Sequence, residues 1–381
     1  MAAMEQAPAA QPAEATRSQD ASHLARPQGP LHEMTLTTPT CLWTDTAGYE
    51  ELQTSIGYGA VGATCNPVIA LSVLKKEMAT WRPRLHALLG ELPTATEDAI
   101  GWRLVEEMSV RGAGLLRQVF ERDHGRNGRL SIQTDPRLFR DTEGLVAQAL
   151  HFSGLAPNMV VKIPVTAAGL PAIEEATYRG VSINATVSFT LPQCVAVAEA
   201  VERGLVRRER EGLPIGDMGP VCTIMVGRLD DWLKHLAERE GVSVDPGVLE
   251  WAGVAVFKKT YRLFRQRRYR LRLLSAAFRN PMHWSELVGG DVVISPPFAY
   301  QARFNRSDIR PVPRMDEPVE PRTLAALEKH FPDFRRASEE GGLGVSEFDA
   351  FGPTRRTLRQ FLAASTELAV MVRDLMIPSP D

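Results

Sequence analysis

Apolar positions along the chain fall into two alternating patterns. Short runs with few polar interruptions occur at Cys41–Asp45, Ala60–Cys65, Gly128–Thr134, Met159–Pro164, Val181–Phe189, Val221–Gly227, Leu271–Ala277 and Asp291–Ser295, and these predict strands. Between them lie longer stretches, among them Val68–Ala79, Ala99–Glu121, Thr142–Ser153, Pro192–Gly204, Leu229–Glu240 and Gly247–Arg268, which predict helices. Strands alternating with helices imply a parallel sheet, because parallel neighbours need a crossover between them. Runs such as Val160–Pro164 and Asp291–Ser295 are close to continuously apolar, which suits strands covered on both faces. Repeated βα units over about 250 residues predict a TIM (β/α)8 barrel, an α/β fold, with a doubly wound open sheet as the alternative.

The pattern also divides the chain. Residues 1–33 are rich in Ala, Pro and Gln and carry no apolar h-region, so they predict a disordered tail. Residues 34–310 are expected to form the barrel domain. The Pro-rich, charged stretch Asp308–Arg322 predicts a connection out of it. Residues 311–381 are expected to form a helical extension, with helices at Arg322–Arg335 and Arg355–Asp374, packed on the barrel or over its mouth.

Composition narrows the class. With 44% apolar and 24% charged residues, the 381-residue chain is an ordinary globular sequence, which excludes fibrous and disordered classes. A formal charge of −2 argues against a dedicated nucleic-acid protein. The longest apolar stretch, Gly59–Leu74, is broken by Thr64, Asn66 and Pro67, so a membrane span is not expected. Four scattered cysteines without CxxC spacing fit a reducing compartment, and a cytoplasmic location is expected.

Two motifs invite a functional reading that their context withdraws. Gly57-Tyr-Gly59-Ala-Val-Gly62 has the letters of a dinucleotide fingerprint, but a helical stretch precedes it and a strand follows, the reverse of what that fingerprint requires. Lys258–Arg272 carries eight basic residues and no acidic one. Its apolar residues Val254, Phe257, Tyr261 and Phe264 recur at three and four, so a packing stripe with a solvated basic face is the expectation.

Lys162 is different. It lies inside Met-Val-Val-Lys-Ile-Pro, where lysine is rarely buried without a partner. Such a lysine either reaches solvent from the strand end or is a desolvated amine, neutral enough to attack a carbonyl. Other polar residues occupy comparable positions: Asp45, Asn66, Gln133, Asn184, Thr186, Arg228 and Arg279 lie in or just after predicted strands. In a barrel of this kind the catalytic groups gather at the C-terminal ends of the strands. An imine-forming lysine, a proton-transferring carboxylate, amides for hydroxyls and two guanidinium forks for a phosphate together suggest a phosphosugar Schiff-base enzyme.

The residues carrying this chemistry also resemble a known family. Gly62-Ala-Thr-Cys-Asn-Pro67, Val161-Lys-Ile-Pro164 with Gly169 and Ala172-Ile173, Ile183-Asn-Ala-Thr186, Phe189 with Gln193, Val226-Gly-Arg228 and Ala277-Phe-Arg-Asn280 are similar, in order and spacing, to the transaldolases. The resemblance runs over roughly residues 40–300 and implies a TIM barrel without cofactor or metal. It implies that Lys162 forms the Schiff base with a ketose phosphate and that Asp45 takes the proton of the C4 hydroxyl. It further implies that Asn66 and Asn184 hold hydroxyls, that Thr186 orients a catalytic water, and that Arg228 and Arg279 bind phosphate. Thr223, where a serine is usual, joins the substrate-binding set. Gln133 stands where the family usually carries a proton-transferring glutamate; an amide can hold the water but cannot accept its proton. Ala277 replaces a phosphate-binding serine, and Cys65 replaces a threonine.

The expected activity is transfer of a dihydroxyacetone unit between sugar phosphates in the pentose phosphate pathway. A transaldolase-like aldolase using a modified or unphosphorylated acceptor is the second reading, favoured by Gln133 and Ala277. A catalytically silent phosphosugar-binding barrel is the third, disfavoured by Lys162 and Asp45. Small sugar phosphates are the expected partners, with no nucleic acid or membrane, in a monomer or homodimer.

Overall fold

The computed structural model describes residues 28–380. Eight strands, β1 (Cys41–Thr44), β2 (Ala60–Thr64), β3 (Arg129–Gln133), β4 (Met159–Pro164), β5 (Ile183–Thr186), β6 (Val221–Met225), β7 (Arg272–Ala276) and β8 (Val293–Ser295), close into a barrel in sequential order. Every neighbouring pair is parallel and β8 returns to β1, through Cys41 opposite Val293, so the open sheet is ruled out. All eight strands lie within the predicted runs.

Alternation along each strand sorts the side chains into two layers. Ile132, Val161, Ile163, Ile183, Ala185 and Ile224 point outward into the apolar layer shared with the helices. A smaller cluster, Trp43, Val221, Leu274, Ala276 and Val293, packs inside the barrel. Gly62 belongs to this inner packing: a Cβ there would lie 2.4 Å from the Trp43 ring, so only glycine lets β2 pass the indole. The next inward positions along β3, β4, β5 and β6 are Gln133, Lys162, Asn184, Thr186 and Thr223, which places the polar set around one mouth.

Several expectations need adjustment. The predicted helix Gly247–Arg268 is two pieces, Pro246–Leu249 and Ala252–Arg267. Arg322–Arg335 is likewise split into Pro321–His330 and Pro332–Ser338, because Pro332 forces Phe331 out of helical geometry, to φ −126° and ψ 96°. The Gly57–Gly62 segment is a turn from the helix Tyr49–Gly57 into β2, as its context indicated. The helix Ala252–Arg267 buries Val254, Phe257, Tyr261 and Phe264, but its basic face is not wholly solvated. Lys258 is buried and bonds Glu286 at 3.0 Å and the carbonyls of Arg314 and Glu317. Those bonds dock the Asp308–Arg322 connection against the barrel. The Arg-rich stretch Arg203–Glu211 ends the helix Leu191–Arg210. There Arg203 and Arg207 pair with Glu174 and Glu175 of the neighbouring helix.

At the amino end, Pro30–Thr37 is helical with Leu31 and Met34 buried, so the boundary expected after residue 33 falls within a helix. The remainder of the expected tail, residues 1–27, lies outside the described residues. At the carboxyl end, the helix Gly352–Met376 crosses the helices Pro67–Lys76 and Glu97–Arg122 and approaches the turn Pro136–Leu138 after β3. Just before it, Asp349 accepts a bond from the Ala167 amide, beyond the end of β4, at 2.9 Å. The extension therefore lies along the C-terminal rim of the barrel. Among the described residues no helix is long and apolar enough to cross a membrane.

Candidate active site

β4 carries Lys162 to the centre of the mouth, 5% exposed. Among the described residues its amine makes no ion pair. Burial pushes its pKa down from the ordinary 10.5, opposed by the charge of Asp45. Asp45 follows β1, and one of its carboxylate oxygens accepts a hydrogen bond from the Thr64 hydroxyl at the end of β2. Cys65, fully buried, has its thiol pushed up to about 12 by loss of solvent, so it stays protonated beside the amine.

Gln133 stands in register with Lys162 across the β3–β4 pairing. It is buried, and its Oε1 has no hydrogen-bond partner among the described residues. Asn184 is its opposite in this respect. Its Nδ2 donates to Ser131 Oγ at 3.1 Å, and its Oδ1 accepts from Thr223 Oγ1 at 2.7 Å. This chain of bonds from β3 through β5 to β6 fixes which way the amide faces. Asn66 caps the helix Pro67–Lys76, its Oδ1 accepting from the Ile69 amide at 2.9 Å, while its NH2 group has no hydrogen-bond partner among the described residues.

Thr186 closes the inward set at the end of β5, where the backbone is unusual. Val187, the next residue, has φ +56°, a left-handed conformation costly for a β-branched residue. Gln193 holds it there, donating to the Val187 carbonyl at 3.2 Å and accepting from the Phe189 amide at 3.0 Å. The strained turn lets the chain leave the barrel while Thr186 still points inward.

The two arginines sit on neighbouring βα connections. Arg228 lies in the first turn of the helix Val226–Glu240, its Nε buried and unpartnered among the described residues. Burial, then the nearby Arg279 charge, lowers its pKa. Arg279 is held as a fork: Nε donates to Asp231 at 2.9 Å and Nη1 to the Phe278 carbonyl at 3.0 Å. Its own amide donates to His283 Nδ1 at 3.0 Å, leaving His283 Nε2 to donate to the buried Asp230 at 2.7 Å. A helix N-terminus beside two guanidinium groups is suited to an anion.

The barrel thus brings together all nine residues singled out in the sequence, Asp45, Asn66, Gln133, Lys162, Asn184, Thr186, Thr223, Arg228 and Arg279, on its C-terminal side. Sequence reading missed their supports: Thr64, Ser131, Asp231 and the Asp230–His283 pair. Ser131 had a signal, since it lies two positions before Gln133 and shares its face. His283 had none, because its buried partner Asp230 comes from a separate connection.

The fold and this arrangement define a (β/α)8 barrel with a buried lysine among the polar residues of its mouth. The sequence matches the family described as Transaldolase/Fructose-6-phosphate aldolase over residues 42–340, so the chain belongs to that family. Among curated proteins, it is 34% identical over 209 residues to Transaldolase 1 of Streptomyces avermitilis, covering 54% of each chain. It is 37% identical over 192 residues to the transaldolase of Thermobifida fusca, covering 48% of this chain and 51% of that one. A longer match, 28% identical over 325 residues, covers 83% of this chain and 81% of the transaldolase of a Parafrankia species. The first two matches span about half the length of those relatives.

Proposed function

We propose that this protein is a transaldolase, a transferase that moves a dihydroxyacetone unit from fructose 6-phosphate or sedoheptulose 7-phosphate to an aldose phosphate, as in the pentose phosphate pathway of the cytoplasm. The observation that carries the reading is Lys162: a buried amine without an ion pair among the described residues, its pKa lowered by burial, facing the Asp45 carboxylate inside a barrel mouth. The neutral amine adds to the keto carbon, and loss of water gives an imine. Asp45 then takes the proton of the C4 hydroxyl while the C3–C4 bond breaks. The aldose phosphate leaves, and the electron pair of the broken bond is held as the lysine-bound enamine. The enamine adds to the second aldehyde, Asp45 returns the proton, and water releases the product from Lys162.

The other residues divide the remaining work. Asn184, oriented by Ser131 and Thr223, and the free NH2 of Asn66 hold the hydroxyls of the three-carbon unit. Thr186 and the unpartnered Gln133 Oε1 hold the water used in forming and cleaving the imine. Arg228 and Arg279 take the phosphate. One observation favours the second reading, a transaldolase-like aldolase with an unusual acceptor: Gln133, an amide, cannot take a proton from that water.

Borohydride trapping with fructose 6-phosphate, read by intact mass, tests the proposal. A dihydroxyacetone adduct is expected on the wild type and not on Lys162→Ala. Absence of an adduct on the wild type with any ketose phosphate would refute the lysine mechanism.

A further inference from the structure

Beside Arg228 a cavity of about 310 Å3 opens between the helix Val226–Glu240 and the C-terminal helix Gly352–Met376. It is lined by Arg228, Asp231, Lys234, His235 and the exposed Glu238 from the first helix, the last without an ion pair among the described residues, and by Arg356 and Thr357 from the second. Two of its charges are already matched. Asp231 pairs with Arg279 at 2.8 Å, and Lys234 pairs with Glu250. Arg228 and Arg356 have no ion pair among the described residues, and they are near enough for the Arg356 charge to act on Arg228. Two unmatched guanidinium groups facing one hollow repel each other, and an anion between them reverses the sign of that interaction.

Arg356 is also held in place. Its guanidinium lies 5.9 Å from the centroid of the Trp232 ring, one helical turn beyond Arg228 on the same helix face. Trp232 in turn donates to Asp333 at 2.8 Å. The C-terminal helix can come this close only because it begins with Gly352, where a Cβ would lie 2.1 Å from the same indole. Arg356 is exposed, and the ring contact fixes its guanidinium at the wall of the cavity.

We infer that Arg356, delivered by the C-terminal extension, joins Arg228 and Arg279 as a third cation for the phosphate end of the substrate, so that the extension helps select phosphorylated sugars. The inference rests on the transaldolase reading for the sugar and on the cavity for the phosphate.

The test is Arg356→Met, which keeps an apolar stem against Trp232 and removes the charge. A charge-assisted bond of about 1.5–3 kcal/mol corresponds to a rise of about tenfold or more in KM for fructose 6-phosphate, with kcat little changed. With fructose as the donor the loss is expected to be several-fold smaller, and Arg356→Lys is expected to recover part of the affinity. Equal shifts with the two donors, or no shift with either, would overturn the inference. If the wild type cleaves no ketose phosphate, the transaldolase reading fails separately, and calorimetric titration with inorganic phosphate still judges the subsite. Weaker phosphate binding by Arg356→Met than by the wild type supports it. Equal binding, or none to the wild type, overturns it.

Discussion

Replacing Gln133 by Glu puts a carboxylate where the site now has an amide, 3% exposed and in register with Lys162. Neighbouring strands lie about 4.8 Å apart, so the new charge and the amine come within about 6 Å. At an effective dielectric of about 20 they interact by about 3 kcal/mol, or about two pKa units. The carboxylate therefore stays ionised despite its burial, but it also raises the Lys162 pKa and reduces the neutral amine at pH 7. Against this stands a general base worth about 10²–10⁴ in the steps that move a water proton. Imine hydrolysis does not require a free amine at the outset and should gain most of that factor. Imine formation at pH 7 should gain about a hundredfold less, by the same two units. The two gains should converge as the pH rises and the amine deprotonates. The assay is quenched-flow borohydride trapping: adduct growth with fructose 6-phosphate reports formation, and adduct decay after dilution reports hydrolysis. Unchanged hydrolysis in Gln133→Glu, or formation gaining more than hydrolysis at pH 7, would refute the reasoning.

The remaining predictions concern the same centre and its packing. Burial holds the folded pKa of Lys162 below the ordinary 10.5, so the trapping rate should rise with pH and reach half its plateau below that value. A midpoint at or above it would contradict the desolvation account. The same shift disfavours folding fully below the folded pKa, since both states are then protonated. Stability should therefore climb with pH between the folded and unfolded values, where the unfolded chain holds the extra proton. Lys162→Met should abolish trapping yet stabilise the fold by about 1 kcal/mol or more, because an apolar side chain replaces a desolvated amine; a lower urea midpoint would argue against it. Gly62→Ala should destabilise by about 1–3 kcal/mol through overpacking against Trp43, seen as a lower urea midpoint with altered tryptophan emission.

Much of this protein was legible locally. The runs around Val161 and Val293 announced strands because a two-residue alternation, or its absence under two-sided burial, depends only on neighbours in the chain. Lys162 stood out for the same reason, as a charge where desolvation is costly. The breaks at Leu249–Ala252 and Phe331–Pro332 were harder: apolar periodicity continues through both, and local backbone geometry overrides it. Lys258 was misjudged because the carboxylate and carbonyls that bury it arrive from Glu286, Arg314 and Glu317, well down the chain.

The sequence by itself determined the strand order, most of the helices, the barrel class and the set of inward polar residues, because each follows from short-range pattern and the chemistry of single side chains. Only the tertiary structure decided how those residues serve one another. It set Asn184 between Ser131 and Thr223, left Gln133 Oε1 without a partner among the described residues, tied Arg279 to Asp231 and His283, and carried Arg356 across the rim to Arg228. These are contacts between segments far apart in the chain. Their geometry is set by closure of the barrel and docking of the last helix, and no local pattern encodes which groups will meet.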